Sequence, residues 1–337
     1  MNSDRICQLL YDFKAPALFR LLMRSRVVVL SYHRVVPFQD MDALQPGMIV
    51  PPEMFKMQME YLKKYYSVIS LEELIEKLPK NELQPYTAVI TFDDGYYDNY
   101  EYAYPVLKEM DFPATIFIPT GFIESGLSFF WDEVAYMIFN TRRESFQLRL
   151  GSELVMYDLS RKDRVVWQLC SRVKRFSQLE QDIILDALST TLGVLRNRSV
   201  SKLLTWSLMR DMKQHKIAFG AHTHLHGAVS VGGIGEILKD VKISKDILDK
   251  QLKQNTVSFA YPFGDKTDIS LEVSQSLPAL GIKGAVTLES GLVRYNHDPY
   301  LLKRIGVGQM DEISRFSLKV CGLLTWLSHI KQRLHGR

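Results

Sequence analysis

The chain has 337 residues, 46% of them hydrophobic, and its 42 Lys and Arg against 38 Asp and Glu leave a formal net charge of +4. That length suits one large α/β domain or two small ones, since single barrels commonly reach about 250 residues. The even charge balance and the lack of a basic run interleaved with aromatics argue against a nucleic-acid-binding protein. Cys7, Cys170 and Cys321 form no Cys-x-x-Cys pair, which excludes the usual thiolate zinc site.

The first 25 residues predict an N-terminal helical segment. Apolar residues recur at helical spacing over 5–24, which indicates one amphipathic helix. Residues 1–26 carry five cationic residues but no uninterrupted apolar core and no small-residue cleavage site, so they do not resemble a secretory signal. No run approaches the roughly 20 apolar residues of a membrane-spanning helix. We therefore expect the protein in the cytoplasm or peripheral to the inner membrane.

From residue 26 onward, short apolar strands alternate with helical stretches. The predicted order is strand 26–31, helix 53–65, strand 68–69, helix 71–78, strand 87–92, helix 97–110 and strand 114–118. Such alternation is typical of parallel strands joined by right-handed crossovers. The pattern therefore predicts an α/β fold.

The alternation stops after residue 121 and resumes near residue 217. Residues from about 122 to 210 hold aromatic-rich and charged helical stretches with few strand signals, which predicts a mostly helical insertion. Beyond it we predict strand 217–220, helix 235–253, strand 257–261, helix 269–279, strand 282–287 and strand 301–307. The whole pattern predicts a distorted barrel of seven to eight βα units over 26–310.

A C-terminal helical tail is predicted at 311–337. Apolar and basic residues alternate there between 318 and 334. This composition allows two interpretations, in which the tail packs against the barrel or makes peripheral contact with a membrane surface.

The stretch Thr91-Phe92-Asp93-Asp94-Gly95 places two adjacent carboxylates at the end of an apolar strand. Side chains alternate faces along a strand, so one acid can bind a metal while the other handles protons. A surface turn is the alternative interpretation, because Asp-Asp-Gly also suits turns. In parallel barrels the active site gathers at the strand C-terminal ends, where other polar residues should join these acids.

The stretch 222–226, His-Thr-His-Leu-His, holds three of the eight histidines of the chain and follows the strand at 217–220. On a helical turn, His222 and His226 would share one face as an i,i+4 pair. Two imidazoles and the carboxylate of Asp94 form a ligand set that zinc accepts, with one position left for water. A polar loop with capping histidines is the alternative. The set predicts one divalent metal ion, zinc, and metal-assisted hydrolysis of an amide or ester with Asp93 accepting the proton.

These motifs resemble those of the polysaccharide deacetylases, the NodB-homology group of carbohydrate esterases. Residues 91–95 match the first family motif, 222–226 match the second, 258–264 look like the third, and 29–35 resemble the opening strand. Order and spacing agree from about residue 26 to 308. The resemblance implies a barrel of the NodB-homology type and a hydrolase that removes N-acetyl groups from an amino-sugar-containing saccharide.

Carried over residue by residue, the resemblance implies a role for each matching position. Asp93 would be the general base, and Asp94, His222 and His226 would bind the metal. His224 falls on a free position of the motif and is left out.

Further positions follow from the third motif and from where this chain departs from the family. Phe263 falls where the family's backbone N–H helps to hold the oxyanion, and Tyr261 and His33 are further substrate-side candidates. A backbone-bonded buried histidine is the alternative for His33. Ala260 stands where the family usually has an arginine that steadies the catalytic aspartate. Arg304 in a late strand could supply that charge, and an ordinary strand-end cation is its alternative.

The general acid stays unassigned at this level. Leu327-Ser328-His329 fits the family's Leu-x-His motif by its letters but lies in a predicted helix, and His297 and His33 are other candidates. Two further functions therefore stay open: a catalytically idle, metal-containing glycan-binding barrel, and a deformylase acting on a lipid-linked sugar.

Overall fold

Seven parallel strands close into a barrel. A computed structural model of the chain describes residues 3–38, 44, 47–229 and 233–335. Around the ring the strands are β1 (Val28–Tyr32), β12 (Leu302–Gly306), β11 (Gly284–Ser290), β10 (Ser258–Ala260), β9 (Ile217–Ala221), β6 (Ala114–Ile118) and β5 (Thr87–Phe92). Pairing of β5 with β1 closes the ring, and β4 (Ser67–Val68) pairs with the first residues of β5. The predicted α/β barrel is confirmed.

Helices cover the outside of the barrel and bury both faces of its strands. Every residue of β5 is buried, as expected for a parallel strand with side chains on one face and helices against the other. A small pair of strands, β2 (Arg34–Val35) and β3 (Ile49–Val50), lies beyond the end of β1. The connecting helices are α3 (Pro52–Tyr65), α4 (Leu71–Lys77), α5 (Tyr104–Met110), α10 (Ile234–Leu252) and α11 (Leu271–Ser276).

The segment between β6 and β9 forms a layer with its own apolar cluster, except for its last helix, which packs into the core of the barrel. It contains α6 (Phe130–Asn140), a hairpin of β7 (Ser145–Leu150) and β8 (Glu153–Asp158), α7 (Lys162–Val173), α8 (Gln178–Leu192) and α9 (Trp206–Met212). The prediction of a mostly helical insertion overlooked the hairpin. Its signal is present, because the buried residues of β7 alternate strictly with exposed ones, which is the period of a strand.

The N-terminal segment predicted as one helix over 5–24 is two helices, α1 (Ser3–Asp12) and α2 (Ala15–Leu22). Lys14 adopts the left-handed conformation with φ of 57°, and Pro16 lies in the first turn of α2. Proline has no N–H to continue the helical ladder, which is why a single helix cannot form there.

The C-terminal residues form α12 (Ile313–Val320) and α13 (Leu323–His335). α12 packs on α1 and α3, and Cys7 joins Leu318 and Cys321 in a shared buried cluster. Of the two interpretations of the tail, packing against the rest of the protein holds for α12. On α13, Trp326 is exposed to solvent. Within the described ranges, no helix has both the length and the apolarity that crossing a bilayer requires.

Candidate active site

Residues that follow β1, β5, β9 and β10 converge on one cavity of about 240 Å³. Because parallel strands all end at the same side of the barrel, residues far apart in sequence meet there. The sequence-predicted residues that line the cavity are His33, Asp93, Asp94, His222, His226 and Phe263.

Asp94, His222 and His226 form a buried cluster of three potential metal ligands. Asp94 Oδ1 lies 3.2 Å from His226 Nε2 and 3.5 Å from His222 Nε2, and the two Nε2 atoms are 3.1 Å apart. In a tetrahedral site with bonds of about 2.0–2.1 Å, donor atoms lie roughly 3.3 Å apart. The three donors therefore fit one cation, and the alternative of capping histidines does not describe this geometry.

The hydrogen bond of His222 sets which of its nitrogens can bind a metal. Its Nδ1 donates to the backbone carbonyl of Ala260 at 2.7 Å, so the neutral ring carries its lone pair on Nε2, which faces the cluster. The ring of His226 is enclosed by Trp131 and Phe263, with centroids 4.7 Å and 4.9 Å away. Burial, helped by His222, lowers the pKa of His226 against the opposing influence of Asp94, which favours the neutral ligand form.

Asp93 forms a buried, bidentate ion pair with Arg304. Both carboxylate oxygens accept hydrogen bonds of 2.7 Å from the guanidinium, and two further N–H groups of Arg304 donate to the Thr287 carbonyl and the Thr91 hydroxyl. Burial by itself raises the pKa of Asp93, but the charge and hydrogen bonds of Arg304 outweigh it, so the pKa lies below its ordinary value. Arg304 is fully buried, so the alternative of an ordinary strand-end cation is wrong.

The remaining predicted positions differ in where the structure places them. His33 lines the cavity with Nε2 3.8 Å from Asp93 Oδ2. Phe263 packs its ring edge-on against His226. Tyr261 requires a correction, because its hydroxyl donates to the Tyr300 carbonyl and its N–H to the Val286 carbonyl, outside the cavity. A side chain held in the layer between strands and helices cannot contact a substrate in the barrel mouth.

Two other histidines were considered as general acid, and the structure describes the side chain of one of them. His297 lines a different cavity, together with Arg26 and Trp326. The side chain of His329 lies outside the described residues. His33 is thus the cavity-lining histidine that does not belong to the three-donor cluster.

Left-handed backbone conformations gather at the cavity. Asp94, Thr223, His226 and Phe263 have φ between 53° and 73°. Such conformations cost about 1–3 kcal/mol for residues other than glycine and persist only where the surrounding structure enforces them. Their clustering indicates that the fold holds these side chains in place at a cost to its stability.

Gly95, directly after the two aspartates, is expected to tolerate a side chain poorly. Its φ is 66°, and an added Cβ would lie 2.6 Å from Ile118 Cδ1. Gly95→Ala should therefore destabilise the protein by about 2–4 kcal/mol in denaturant unfolding, from the backbone cost plus overpacking. Gly193→Ala is the matched control, since Gly193 has the same φ with nothing within 4 Å of the added Cβ. Equal losses in the two variants would show that the Ile118 contact is unimportant.

The insertion supplies cavity walls that the motifs do not reveal. Trp167 of α7 and Lys174, the residue directly after α7, line the cavity, as does Trp131 of α6. Lys174 Nζ binds Asp268 Oδ2 at 2.7 Å and lies 5.1 Å from the Phe263 ring centre, which ties α7 to the loop after β10. The aromatic run at the start of α6 is a local sequence signal for Trp131, whereas nothing local marks α7 as part of the site.

An α/β barrel with a two-histidine, one-carboxylate cluster beside a buried Asp–Arg pair has the architecture of a metal-dependent hydrolase. Residues 80–282 match the family described as "Polysaccharide deacetylase". The chain belongs to this family, as its motifs indicated.

Curated relatives agree with this assignment. The poly-beta-1,6-N-acetyl-D-glucosamine N-deacetylase of Escherichia coli (strain K12) is 25% identical over 267 residues, which are 79% of this chain and 34% of the relative. The Staphylococcus epidermidis protein of the same name is 32% identical over 112 residues, 30% of this chain and 39% of the relative. This chain thus spans about a third of the length of the curated relatives it matches.

Two solved structures share the fold. The Streptococcus pyogenes deacetylase PplD, in complex with acetate, has a TM-score of 0.60 at 24% identity, covering 88% of this chain and 98% of that one. IcaB from Ammonifex degensii has a TM-score of 0.56 at 18% identity, covering 87% and 97%. Both extend the likeness well beyond the motifs, to the whole barrel.

Proposed function

We propose that this protein is a metal-dependent carbohydrate N-deacetylase that hydrolyses N-acetyl groups of an amino-sugar-containing saccharide. The observation that carries the proposal is the ionised, Arg304-bound Asp93 beside the three-donor cluster in one cavity. Family membership and the amino-sugar polymer named for the E. coli and S. epidermidis relatives support the substrate class.

The ligand set of Asp94, His222 and His226 suits one divalent ion, which we propose to be zinc. When bound, such an ion supplies Lewis acidity toward an amide carbonyl and a water of lowered pKa. Two nitrogen donors and one carboxylate leave a coordination position open, as catalytic zinc sites do.

The protein's own groups divide the proton transfers between them. Asp93 accepts the proton of the attacking water, and Arg304 keeps that carboxylate ionised and oriented. The backbone N–H of Phe263 donates to the developing oxyanion. His33 returns a proton to the leaving amine, since it lines the cavity beside Asp93.

Acetate release tests the proposal directly. The purified 337-residue chain would be incubated with N-acetylated chito-oligosaccharides and with β-1,6-linked oligomers, before and after chelation and after zinc is restored. We expect release that is lost with chelator and recovered with metal. A metal-loaded protein that binds these glycans without releasing acetate would favour the idle glycan-binding barrel, and formate release from formylated sugars would favour the deformylase.

The cavity opens into a groove that suits an oligomeric substrate. The groove, of about 790 Å³, runs along the loop after β12 and shares His33, Trp167 and Asp265 with the cavity. Trp167 is 65% exposed at this junction. We propose that it stacks on the sugar ring next to the reacting residue, because a large exposed aromatic face suits the apolar face of a sugar.

Trp167→Ala should lower kcat/KM for a pentameric substrate roughly tenfold, because loss of about 60 Å² of stacked apolar area costs about 1.5 kcal/mol. The effect on a dimer should be small, and steady-state acetate release measures both. Trp326→Ala, an exposed tryptophan on α13, is the matched control. An equal loss for dimer and pentamer would show that Trp167 does not act on the neighbouring ring.

A further inference from the structure

Helix α2 presents leucines to solvent where a globular surface is usually polar. Leu18, Leu21 and Leu22 lie at i, i+3 and i+4, and all three are exposed, so they form one apolar face. Phe13, just before α2, is 83% exposed. We call Leu18, Leu21 and Leu22 the α2 face. A contiguous exposed apolar face of this kind marks an interaction site.

A basic pocket of about 190 Å³ adjoins the α2 face. Its lining includes Met23, which directly follows Leu22, and Trp326, whose ring is 5.6 Å from that of Phe19 on α2. The positively charged or titratable residues that line it, together called the basic pocket, are Arg26, Arg294, His297 and Lys303.

The basic pocket holds more positive charge than the described residues neutralise. Lys303 pairs with Glu289 at 3.1 Å. His297 Nδ1 is buried and has no hydrogen-bond partner among the described residues. Burial first, and then the charges of Lys303, Arg294 and Arg26, lower the pKa of His297, which favours its neutral form. The three cations Arg26, Arg294 and Lys303 line one pocket beside this unpartnered nitrogen, and such a pocket suits an anion such as a phosphate.

We propose that the α2 face and the basic pocket together form a docking surface for an anionic phospholipid bilayer. The leucines would enter the headgroup–acyl boundary, as the apolar face of an interfacial helix does. A headgroup phosphate would occupy the basic pocket, and exposed Arg24 between them would add attraction to the anionic leaflet.

Charge distinguishes a bilayer from a second copy of this chain as the occupant. Residues 3–26 carry five cationic and two acidic side chains. In a symmetric dimer the same patch meets itself, so those cations would face cations. An anionic leaflet neutralises them and takes up the leucines at the same time.

Vesicle co-sedimentation of the full chain tests the apolar part of the proposal. We expect binding to phosphatidylcholine vesicles containing phosphatidylglycerol, and about tenfold weaker binding for Leu18→Glu/Leu22→Glu. Leu179→Glu/Ile183→Glu on α8 is the matched control, because it changes two exposed apolar residues at the same helical spacing. Equal partitioning of wild type and the α2 variant overturns the proposal. So does a dimer, seen by light scattering, that the α2 variant dissociates.

The basic pocket is tested separately with Arg26→Gln/Arg294→Gln. This variant should lose the preference for phosphatidylglycerol while keeping its weak binding to phosphatidylcholine alone. Arg142→Gln/Arg149→Gln is the control, and it should keep both the preference and the weak binding.

Inorganic phosphate, compared with chloride at equal ionic strength, should leave the wild type on the vesicles. Release by phosphate would mean that the pocket is a free-phosphate site, which overturns the lipid assignment. Thermal unfolding and acetate release from soluble oligomers should be unchanged in all variants. Failure of the lipid-binding proposal can therefore be told apart from failure of the proposed deacetylase function.

Discussion

Asp93→Asn is expected to lower acetate release by about 10²–10⁴-fold, the usual contribution of a positioned general base. The amide keeps the shape of the carboxylate but cannot accept a proton from water at neutral pH. Asp94, His222 and His226 are unchanged, so the metal content should stay that of the wild type. Acetate release and elemental metal analysis on the same preparation measure the two effects separately.

The same substitution should also cost stability, because it leaves the buried Arg304 without a charged partner. Breaking a buried ion pair by removing one partner costs about 3–5 kcal/mol, and the remaining amide oxygen should reduce this. Asp98→Asn provides the control, since Asp98 is buried and pairs with Arg34 at 2.9 Å but does not line the cavity. Similar destabilisation in both variants, with activity lost only for Asp93→Asn, is the expected pattern. Full activity of Asp93→Asn would remove Asp93 from the mechanism.

His226→Ala should weaken metal binding by at least about 100-fold, because removing a ligand should cost at least as much as removing a group that hydrogen-bonds to a ligand. Its Nε2 is one of the three clustered donors. His224→Ala should largely keep the metal, since His224 Nδ1 is hydrogen-bonded to Thr120 Oγ1 at 2.9 Å, apart from the cluster. Competition with a chromogenic chelator measures both affinities.

These two variants discriminate between pairs of histidine ligands that the sequence alone does not distinguish. His222, His224 and His226 are separated by single residues, and any two of them could bind one ion on a strand. Metal loss from His224→Ala with retention by His226→Ala would show that the pair was chosen wrongly. Activity should follow the metal content in both variants.

Much of the site was predictable because its parts lie in short segments at strand ends. Asp93 and Asp94 follow a strand whose residues are all apolar or threonine, and His222 directly follows β9. In a parallel barrel those positions must share one mouth, so proximity follows from local sequence once the fold class is known. The ion pair of Arg304 with Asp93 was one of two open alternatives, and only the structure selects it.

The errors have equally physical causes. Tyr261 belongs to a recognisable motif, but motif membership does not say which way a side chain leaves the strand, and its hydroxyl is bonded outside the cavity. The break at Lys14 depended on weighing Pro16 against an otherwise consistent helical pattern. The hairpin of β7 and β8 was passed over because its alternation is short and lies between helices.

The amino-acid sequence by itself determined the parallel barrel, the strand-end acids and the histidine segment. Hydrophobic period and motif spacing are local properties, so they can be recognised without knowing the tertiary contacts. Only the tertiary structure decided that Arg304 reaches Asp93, that α7 walls the cavity and that the α2 face adjoins the basic pocket. Those features join residues far apart along the chain, and their positions depend on how the ring closes and how the insertion and terminal helices pack upon it.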